Sequence, residues 1–369
     1  MTTKAVQPIR ICFVILNAYP LFNPDAKGVI GGAEVDSYYL ASELAKDKNY
    51  QVSCIVADYG QEPIEIHEDV TLIRSSDFNS KRISATFRLW QALRKADAQI
   101  YIRKLSSAVT TEVALFCKRF GRRFVYRTAS AVECDGTYIR KHYFRGKGFI
   151  WSLRHADAVI AQNKTDADNL SATTGVSAQV MKNPHRLPPL VQKEQDTILW
   201  VGRSAKVKRT ELFLKLARQM PGHRSTMICQ RAIGDKLYDN LIEKAKQIKN
   251  LEFIQRVPFH KTHEYFQRAR VFVNTSDYEG FPNTFIQACK CATPILSLNV
   301  NPDGFLNEYN CGLCANGDWE LFVDMLKQIL NRETAHKLGN NARKYVEENH
   351  DITKIVEQYK SCFNQIAQG

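Results

Sequence analysis

The stretch DYEGFPNTFIQA, from Asp277 to Ala288, decides how this chain is interpreted. The apolar run Arg270–Asn274 comes just before it and predicts a buried strand. Gly280 then indicates a loop, and Pro282 stands where the first turn of a helix would begin. A strand, a tight loop and a helix start form an anion site, because backbone N–H groups at a helix start have no partner within the helix.

Two polar side chains in this stretch could hold hydroxyl groups beside an anion. Glu279 stands in the loop, and Gln287 follows eight residues later on the predicted helix. The spacing alone equally fits an ordinary βα unit with a polar loop. A second predicted anion site upstream favours a ligand site over an ordinary βα unit. There, Arg203 and Lys208 follow the apolar strand Thr197–Val201, and both cations can reach a diphosphate. The alternative for this upstream loop is a solvated basic surface.

Length and composition limit the classes of protein to which this chain can belong. The chain has 369 residues, with 44% hydrophobic and 24% charged residues, which is typical of a soluble protein with room for two domains. No apolar run reaches the ~20 residues of a membrane-spanning helix. The N-terminus leads directly into a strand without the apolar segment of a signal peptide. Ten scattered cysteines suit a reducing compartment, so we expect a cytoplasmic protein.

Positive charge is concentrated in one segment. The formal net charge is +13, and residues 81–154 contain 17 lysines and arginines against 4 aspartates and glutamates, a net of +13. Such a segment is typical of binding to an anionic membrane surface or to nucleic acid. The alternative is a solvated face that serves only solubility.

The first half begins with a strand, a glycine-rich loop, a helix and a second strand. The strands are predicted at 10–17 and 51–57, and the helix runs from Gly31-Gly32 to about Lys46. Two glycines at a helix start let a phosphate or a sugar approach the backbone. The third glycine of the dinucleotide-binding fingerprint is missing, so that class of site is not predicted.

The pattern of alternating strands and helices occurs twice. Further strands are expected at 70–74, 98–102, 123–127, 158–161 and 179–182, with basic helices at about 83–96 and 107–119. Prolines at 184, 188 and 189 indicate a hinge, and the second half restarts at Thr197. The fold class is therefore α/β, with two Rossmann-like domains facing across a cleft. We expect an N-terminal domain over 1–185 and a C-terminal domain over 186–350.

Three motifs carry a family resemblance over nearly the whole chain. GGAE at 31–34, GR-x4-K at 202–208 and EGFPNTFIQA at 279–288 resemble the retaining GT-B glycosyltransferases of family 4. The resemblance implies a nucleotide-sugar in the C-terminal domain, a glycan or lipid-linked acceptor on the N-terminal domain, and a final helix, 351–369, that crosses back to the N-terminal domain. It also implies transfer with retention, by attack on the face from which the leaving group departs.

The resemblance also implies roles for individual residues. Arg203 and Lys208 would bind the donor diphosphate and neutralise its charge as the nucleotide leaves, and Glu279 would bind hydroxyl groups of the sugar. The remaining donor-binding positions are Gly31, Gly32, Gly202, Gly280, Phe281, Pro282, Asn283, Thr284 and Gln287.

The sequence departs from the family pattern in two places. Gln287 replaces the usual second glutamate; its amide can still accept and donate a hydrogen bond, so nucleotide preference is expected to shift. No histidine follows the strand 123–127, so Ser130, Glu133 or Asp135 would contact the donor sugar or the acceptor there. Asn17, at the end of the first strand, is a further expected residue on the acceptor side.

No metal or cofactor is expected. Asp166 and Asp168 match a metal-binding DxD, but they lie at a predicted helix start, where acids offset the helix dipole. Four cysteines, Cys289, Cys291, Cys311 and Cys314, match the ligand set of a zinc site. However, the first two fall on a predicted helix where small core residues are common.

Two classes of function remain open. The first is a glycosyltransferase acting on a lipid-linked or surface-polysaccharide acceptor, peripheral at the inner face of the plasma membrane. The second is a non-catalytic protein of the same fold that binds nucleotides or nucleic acid. Gln287 and the missing histidine favour the second class, whereas the presence of Arg203, Lys208 and Glu279 favours the first.

Overall fold

The computed structural model describes residues 7–28, 30–78, 80–191, 195–232 and 234–368. The chain divides into two compact units: unit 1 comprises Met1–Arg186 together with Asp351–Gly369, and unit 2 comprises Leu187–His350. Each unit is a sheet of parallel strands with connecting helices, which confirms the predicted class of two Rossmann-like α/β domains.

Unit 1 is built on an eight-stranded sheet in the order β3-β4-β2-β1-β5-β6-β7-β8. The strands are β1 Ile9–Val14, β2 Tyr50–Val56, β3 Ile64–His67, β4 Val70–Arg74, β5 Ile100–Lys104, β6 Arg123–Arg127, β7 Ala158–Ala161 and β8 Gln179–Val180. Only β3 is antiparallel, and it pairs with β4 at the edge. The strand order reverses between β1 and β5, which is where open α/β sheets place their ligands.

Unit 2 is built on a six-stranded sheet in the order β11-β10-β9-β12-β13-β14. The strands are β9 Thr197–Arg203, β10 Arg224–Gln230, β11 Leu251–Ile254, β12 Ala269–Asn274, β13 Ile295–Ser297 and β14 Gly312–Cys314. All of the pairings are parallel among the residues that the structure describes. Counted from β9, the order is 3-2-1-4-5-6, with its switch point between β9 and β12.

Sixteen helices connect these strands in the described part of the chain. They are α1 Tyr19–Phe22, α2 Gly32–Ala45, α3 Arg82–Ala96, α4 Ala108–Phe120, α5 Ala131–Cys134, α6 Thr137–Lys141, α7 Tyr143–Arg154, α8 Lys164–Thr174, α9 Thr210–Gln219, α10 Tyr238–Lys246, α11 Phe259–Arg268, α12 Asn283–Lys290, α13 Phe305–Glu308, α14 Trp319–Leu330, α15 Arg332–Asn349 and α16 Ile352–Gln368. No helix among the described residues is long and apolar enough to span a membrane.

The final helix, α16, packs on α2 within unit 1. Its Lys360 forms an ion pair with Asp47 at 2.8 Å, and Asn364 accepts a 2.9 Å hydrogen bond from the hydroxyl of Tyr50. Tyr359 is buried and lies 5.1 Å from the guanidinium of Arg127, a cation–π distance. The carboxyl-terminal segment is therefore part of the core of unit 1.

A buried cluster of charges ties α2 to the sheet of unit 1. Asp36 on α2 is fully buried and pairs with Lys104 at the end of β5 and with Arg127 at the end of β6, the latter at 3.1 Å. Lys104 also donates to Asn183 at 3.2 Å. Burial lowers the pKa of Lys104 to about 8, although Asp36 favours its charged form. One carboxylate thus holds two buried cations.

Several element boundaries differ from the sequence predictions. Strand β1 ends at Val14 instead of Asn17, because the chain turns at 16–17 to reach α1, a helix that was not predicted. The antiparallel strand β3 was missed, because it is a short edge strand whose isoleucines are exposed while its polar residues, Glu65 and His67, are half-buried. Pro282 is the residue before helix α12 rather than its first residue.

Candidate functional site

The candidate site lies at the switch point of unit 2. Strands β9 and β12 are neighbouring parallel strands at the centre of the sheet, so their carboxyl ends meet at one edge. The loop after β9 carries the predicted basic residues, and the loop after β12 carries the predicted acidic turn. The topology alone therefore brings the two anion-site motifs together.

The loop after β9 is held in a compact shape. Its centre, Lys206–Lys208, is a single 3-10 turn, and Arg209 follows in the left-handed region with φ 47° and ψ 49° before helix α9 begins. A Cβ atom at Gly202, near the end of β9, would come within 2.8 Å of the Trp200 ring, so any other residue there would require the buried ring to shift. This shape directs Lys208 toward the loop after β12.

Glu279 and Lys208 form an ion pair of 2.6 Å, with each side chain less than a quarter exposed. The other carboxylate oxygen of Glu279 accepts hydrogen bonds from the Ser276 hydroxyl at 2.7 Å and from the Asn274 amide at 2.9 Å. The side-chain oxygen of Asn274 in turn accepts from the backbone N–H of Ser276 at 3.0 Å. Both oxygens of Glu279 are thus oriented by named donors.

Burial by itself would raise the pKa of Glu279, but Lys208, Ser276 and Asn274 together hold that pKa below its ordinary value of 4.5. A carboxylate with a lowered pKa stabilises the fold above its ordinary pKa, and this stabilisation is lost as the pH falls through the lower folded value. The ion pair therefore persists throughout the neutral range and weakens only in acid below pH 4.5.

Beyond Glu279, the chain enters helix α12 through buried residues. Gly280 and Phe281 are buried, and the Phe281 ring packs against Phe305 and His350 at centroid distances of 5.1 and 5.0 Å. Pro282 has no side chain that could cap the helix. Asn283, Thr284 and Gln287 are half-buried on the first two turns. The start of α12 lies four residues after Glu279, the partner of Lys208, and receives no capping bond from Pro282, so it is a suitable place for a phosphate.

Sequence reasoning missed the contacts that join the two loops. The Thr275 hydroxyl donates to the carbonyl of Lys208 at 2.7 Å and accepts from the indole N–H of Trp200 at 3.0 Å. The backbone N–H of Asp277 donates to the carbonyl of Val207 at 2.9 Å. The sequence signal was weak: a threonine directly after an apolar strand equally fits an exposed loop.

Arg209 and Arg203 behave differently from one another. Arg209 pairs with Asp277 at 3.0 Å and with Glu211 at 2.6 Å, and these carboxylates raise its pKa. Arg203, the last residue of β9, is exposed and forms no ion pair with a residue that the structure describes. Of the two predicted cations, Lys208 is the one that the structure places against Glu279.

The predicted residues at the start of α2 lie in unit 1. Gly31 precedes the helix, and Gly32 is its first residue. The Glu34 carboxylate accepts from the backbone N–H of Gly31 at 3.0 Å and from the side-chain amide of Asn17 at 3.2 Å. The glycine turn and Asn17 are thus held together by one carboxylate.

The three candidates after β6 occupy distinct environments. Glu133 is buried and accepts four hydrogen bonds of 2.8–3.2 Å, from the N–H and the hydroxyl of Ser106, the hydroxyl of Tyr126 and the N–H of Ala129. Its carboxylate therefore stabilises two loops, and an acceptor would have to displace these partners. Ser130 precedes helix α5, and the Asp135 carboxylate accepts from the N–H of Thr137 at 2.8 Å.

The aspartate and cysteine motifs, for which no metal was expected, make contacts within the fold. Asp166 is buried in the first turn of α8, where its N–H and its carboxylate bond to Asn163. The ten cysteines are buried thiols outside any disulfide. No group of three or more metal-ligating side chains occurs within the described ranges.

Two family models match consecutive parts of the chain. The model described as Glycosyltransferase Family 4 matches residues 30–185, and the model described as Glycosyl transferases group 1 matches residues 182–345. The second match contains every element of the site at β9 and β12. The protein belongs to the group 1 glycosyltransferases. Its fold is GT-B, as the motifs predicted.

The chain is similar to known glycosyltransferases and to solved structures over different shares of their length. The amylovoran biosynthesis glycosyltransferase AmsD of Erwinia amylovora is 23% identical over 321 residues, which are 80% of this chain and 86% of the relative. The structure of sucrose-phosphate synthase from Thermosynechococcus elongatus superposes with a TM-score of 0.80 at 16% identity, covering 96% of this chain and 98% of the other. TarM from S. aureus, solved with UDP and α-GlcNAc-glycerol, gives a TM-score of 0.63 at 16% identity, covering 76% of this chain and 59% of that one.

Proposed function

We propose that this glycosyltransferase moves a sugar, with retention, from a nucleotide-sugar to a lipid-linked or surface-polysaccharide acceptor at the cytoplasmic face of the membrane. The observation that carries the proposal is the Lys208–Glu279 pair beside the start of α12, at the switch point of unit 2. A relative that acts in the biosynthesis of the polysaccharide amylovoran and a similar fold solved with UDP support the acceptor and donor classes.

The chemistry follows from where charge develops. As the glycosidic bond breaks, negative charge accumulates on the departing diphosphate, and fixed cations next to it lower the barrier. Lys208 and the uncapped start of α12 supply that stabilisation, and exposed Arg203 closes on the phosphates from the same loop. Glu279, freed in part as the phosphate engages Lys208, accepts from hydroxyl groups of the sugar. Retention results when the acceptor hydroxyl attacks the face that the diphosphate leaves. We infer no role for a metal.

The test is a donor screen on the full chain. UDP-, GDP- and ADP-sugars are assayed for hydrolysis and for transfer to membrane extracts, and NMR of the product gives the anomeric configuration. We expect one nucleotide class to be consumed with retention, and Glu279→Ala to lack turnover. Inversion would contradict the stereochemical proposal. Steeply salt-sensitive binding of DNA or RNA without any donor consumption would favour the non-catalytic alternative.

A surface of unit 1 supports the membrane part of the proposal. Four large hydrophobic side chains at the starts of α3 and α7 are strongly exposed: Ile83 87%, Phe87 63%, Tyr143 63% and Phe144 86%. The two helix starts border one groove of about 490 Å³, which Arg82 and Arg145 line. Lys81, Arg140, Lys141 and Lys147 are exposed beside it. Exposed apolar side chains among cations suit an anionic bilayer. The apolar side chains enter the membrane interface, and the cations attract the lipid headgroups.

The structure also shows which cations of the basic segment 81–154 are available at the surface. Lys104 and Arg127 are buried against Asp36, and Arg122 and Arg123 pair with Asp97 and Asp157. These cations belong to the fold, and the exposed ones at α3 and α7 form the candidate membrane surface. Aliphatic Ile83 cannot stack on a base, which favours lipid over nucleic acid as the partner.

Vesicle sedimentation tests this surface. The full chain should bind vesicles of phosphatidylcholine with phosphatidylglycerol and not phosphatidylcholine alone. The double variant Ile83→Ser/Phe144→Ser should bind at least about tenfold more weakly, because two apolar side chains no longer enter the interface. Leu237→Ser in unit 2, at a residue 72% exposed, is the matched control and should bind like the wild type. Equal binding by the double variant and the wild type would contradict the assignment.

A further inference from the structure

Trp200 contacts the start of the basic loop in unit 2 directly and is linked to its end through Thr275. Its ring fills the space next to Gly202, where a Cβ atom would approach to 2.8 Å, and its indole N–H bonds to Thr275, which in turn bonds to the carbonyl of Lys208. Trp200 and Thr275 are 2% and 0% exposed. Neither side chain is in a position to touch a ligand in solvent, yet together they fix the residue that pairs with Glu279.

We propose that Thr275 is a positioning residue for the diphosphate of the donor, acting through the backbone of Lys208. This proposal rests on the proposed function and deepens it. The Thr275 hydroxyl has one proton to donate and lone pairs to accept, and the two bonds of 2.7 and 3.0 Å use both capacities in a fixed direction. A hydroxyl that is fully buried and bonded on both sides has little freedom to reorient.

The geometry explains why the loop needs this contact. Lys208 ends a three-residue 3-10 turn, and Arg209 immediately takes a left-handed conformation, so no regular helix holds the Lys208 carbonyl. The neighbouring carbonyl of Val207 is bonded by the N–H of Asp277, which secures the middle of the turn. Thr275 secures its end. Without that bond the Lys208 carbonyl would turn toward water, and the ammonium group would leave its place at the switch point.

Replacement of Thr275 by valine tests this role, because valine has the same shape without the hydroxyl. The variant leaves the indole N–H of Trp200 and the carbonyl of Lys208 without their partner. We expect affinity for whichever of UDP, GDP or ADP the wild type binds to fall about tenfold by calorimetry. Thr275→Ser keeps the hydroxyl and should bind within about twofold of the wild type.

Two further measurements separate positioning from a general loss of structure. Affinity for the matching nucleoside without phosphates should be unchanged in Thr275→Val, because Lys208 is expected to contact only the diphosphate. In a Lys208→Met background, adding Thr275→Val should cost little more, since coupled residues are not additive. A loss that is equal for nucleoside and diphosphate, or equal in both backgrounds, would overturn the proposal.

The outcomes also distinguish this inference from the function on which it rests. If the wild type binds none of the three nucleoside diphosphates, the proposed function and this inference both fail. If the wild type binds one and Thr275→Val binds it equally well, this inference alone fails. Should Thr275→Val not fold, as judged by thermal melting, Thr275→Ala decides, because it also lacks the hydroxyl: wild-type affinity in that variant would overturn the proposal.

Discussion

Replacing Lys208 with methionine is expected to lower the turnover of the glycosyltransferase about 10²–10³-fold, the usual effect of removing one group that stabilises charge in a transition state. Methionine keeps the length and the apolar stem of the side chain, so the 3-10 turn is retained. The cation that pairs with Glu279 at 2.6 Å is lost, and with it the charge nearest the expected diphosphate. Steady-state kinetics with the donor found in the screen measures the effect.

Lys206→Met is the matched control for this prediction. Lys206 belongs to the same 3-10 turn, is exposed, and forms no ion pair within the described residues. Its replacement should change turnover less than about threefold, because a solvated surface charge contributes little. Equal losses in the two variants would indicate that the loop acts only through its overall charge, and that the specific position of Lys208 is unimportant.

Replacing Asp36 with asparagine is expected to destabilise unit 1 by about 3–5 kcal/mol, the usual cost of removing one partner from a buried ion pair. Asp36 is fully buried, and its carboxylate holds both Lys104 and Arg127. Asparagine preserves the volume but leaves two buried cations without a counter-charge. Hydrogen exchange of amides on β5 and β6 would report the lower free energy of opening in this part of the fold.

Asp97→Asn provides the comparison, because Asp97 is an exposed partner of Arg122 in the same unit. This replacement should cost under about 1 kcal/mol of stability.

The pH dependence of stability gives a second test of the role of Asp36. Lys104 has a folded pKa of about 8 against an ordinary 10.5, so the unfolded chain holds this proton over a range where the folded chain has lost it, and this group adds stability as the pH rises from 8 to 10.5. Without Asp36 the rise should begin at lower pH. A variant with wild-type protection and an unchanged pH profile would contradict both expectations.

Much of the fold could be predicted because its signals are local. Continuous apolar runs identified the parallel strands, and the family resemblance assigned the loops of Lys208 and Glu279 to one donor site. The edge strand β3 could not be predicted, because its isoleucines face solvent.

The candidate site shows the same division. Motif spacing indicated Lys208 and Glu279 as site residues. They pair because the sheet topology brings their two loops together. The contacts of Thr275, Trp200 and Asn274 depend on side-chain directions that one sequence does not encode as a pattern. Ser130, Glu133 or Asp135 was predicted to contact a ligand because no histidine follows β6, and in the structure four donors surround Glu133. Sequence reasoning therefore found charged residues well and their partners poorly.

The charge cluster at Asp36 has a consequence for how unit 1 can respond to a ligand. Helix α2, the ends of β5 and β6, and Tyr359 of α16 meet at the same three charged side chains. Sliding α2 along the sheet would separate opposite charges in a medium that cannot solvate them. The start of α2 at Gly31-Gly32 is therefore held firmly against the sheet, and an adjustment around it must come from the neighbouring loops.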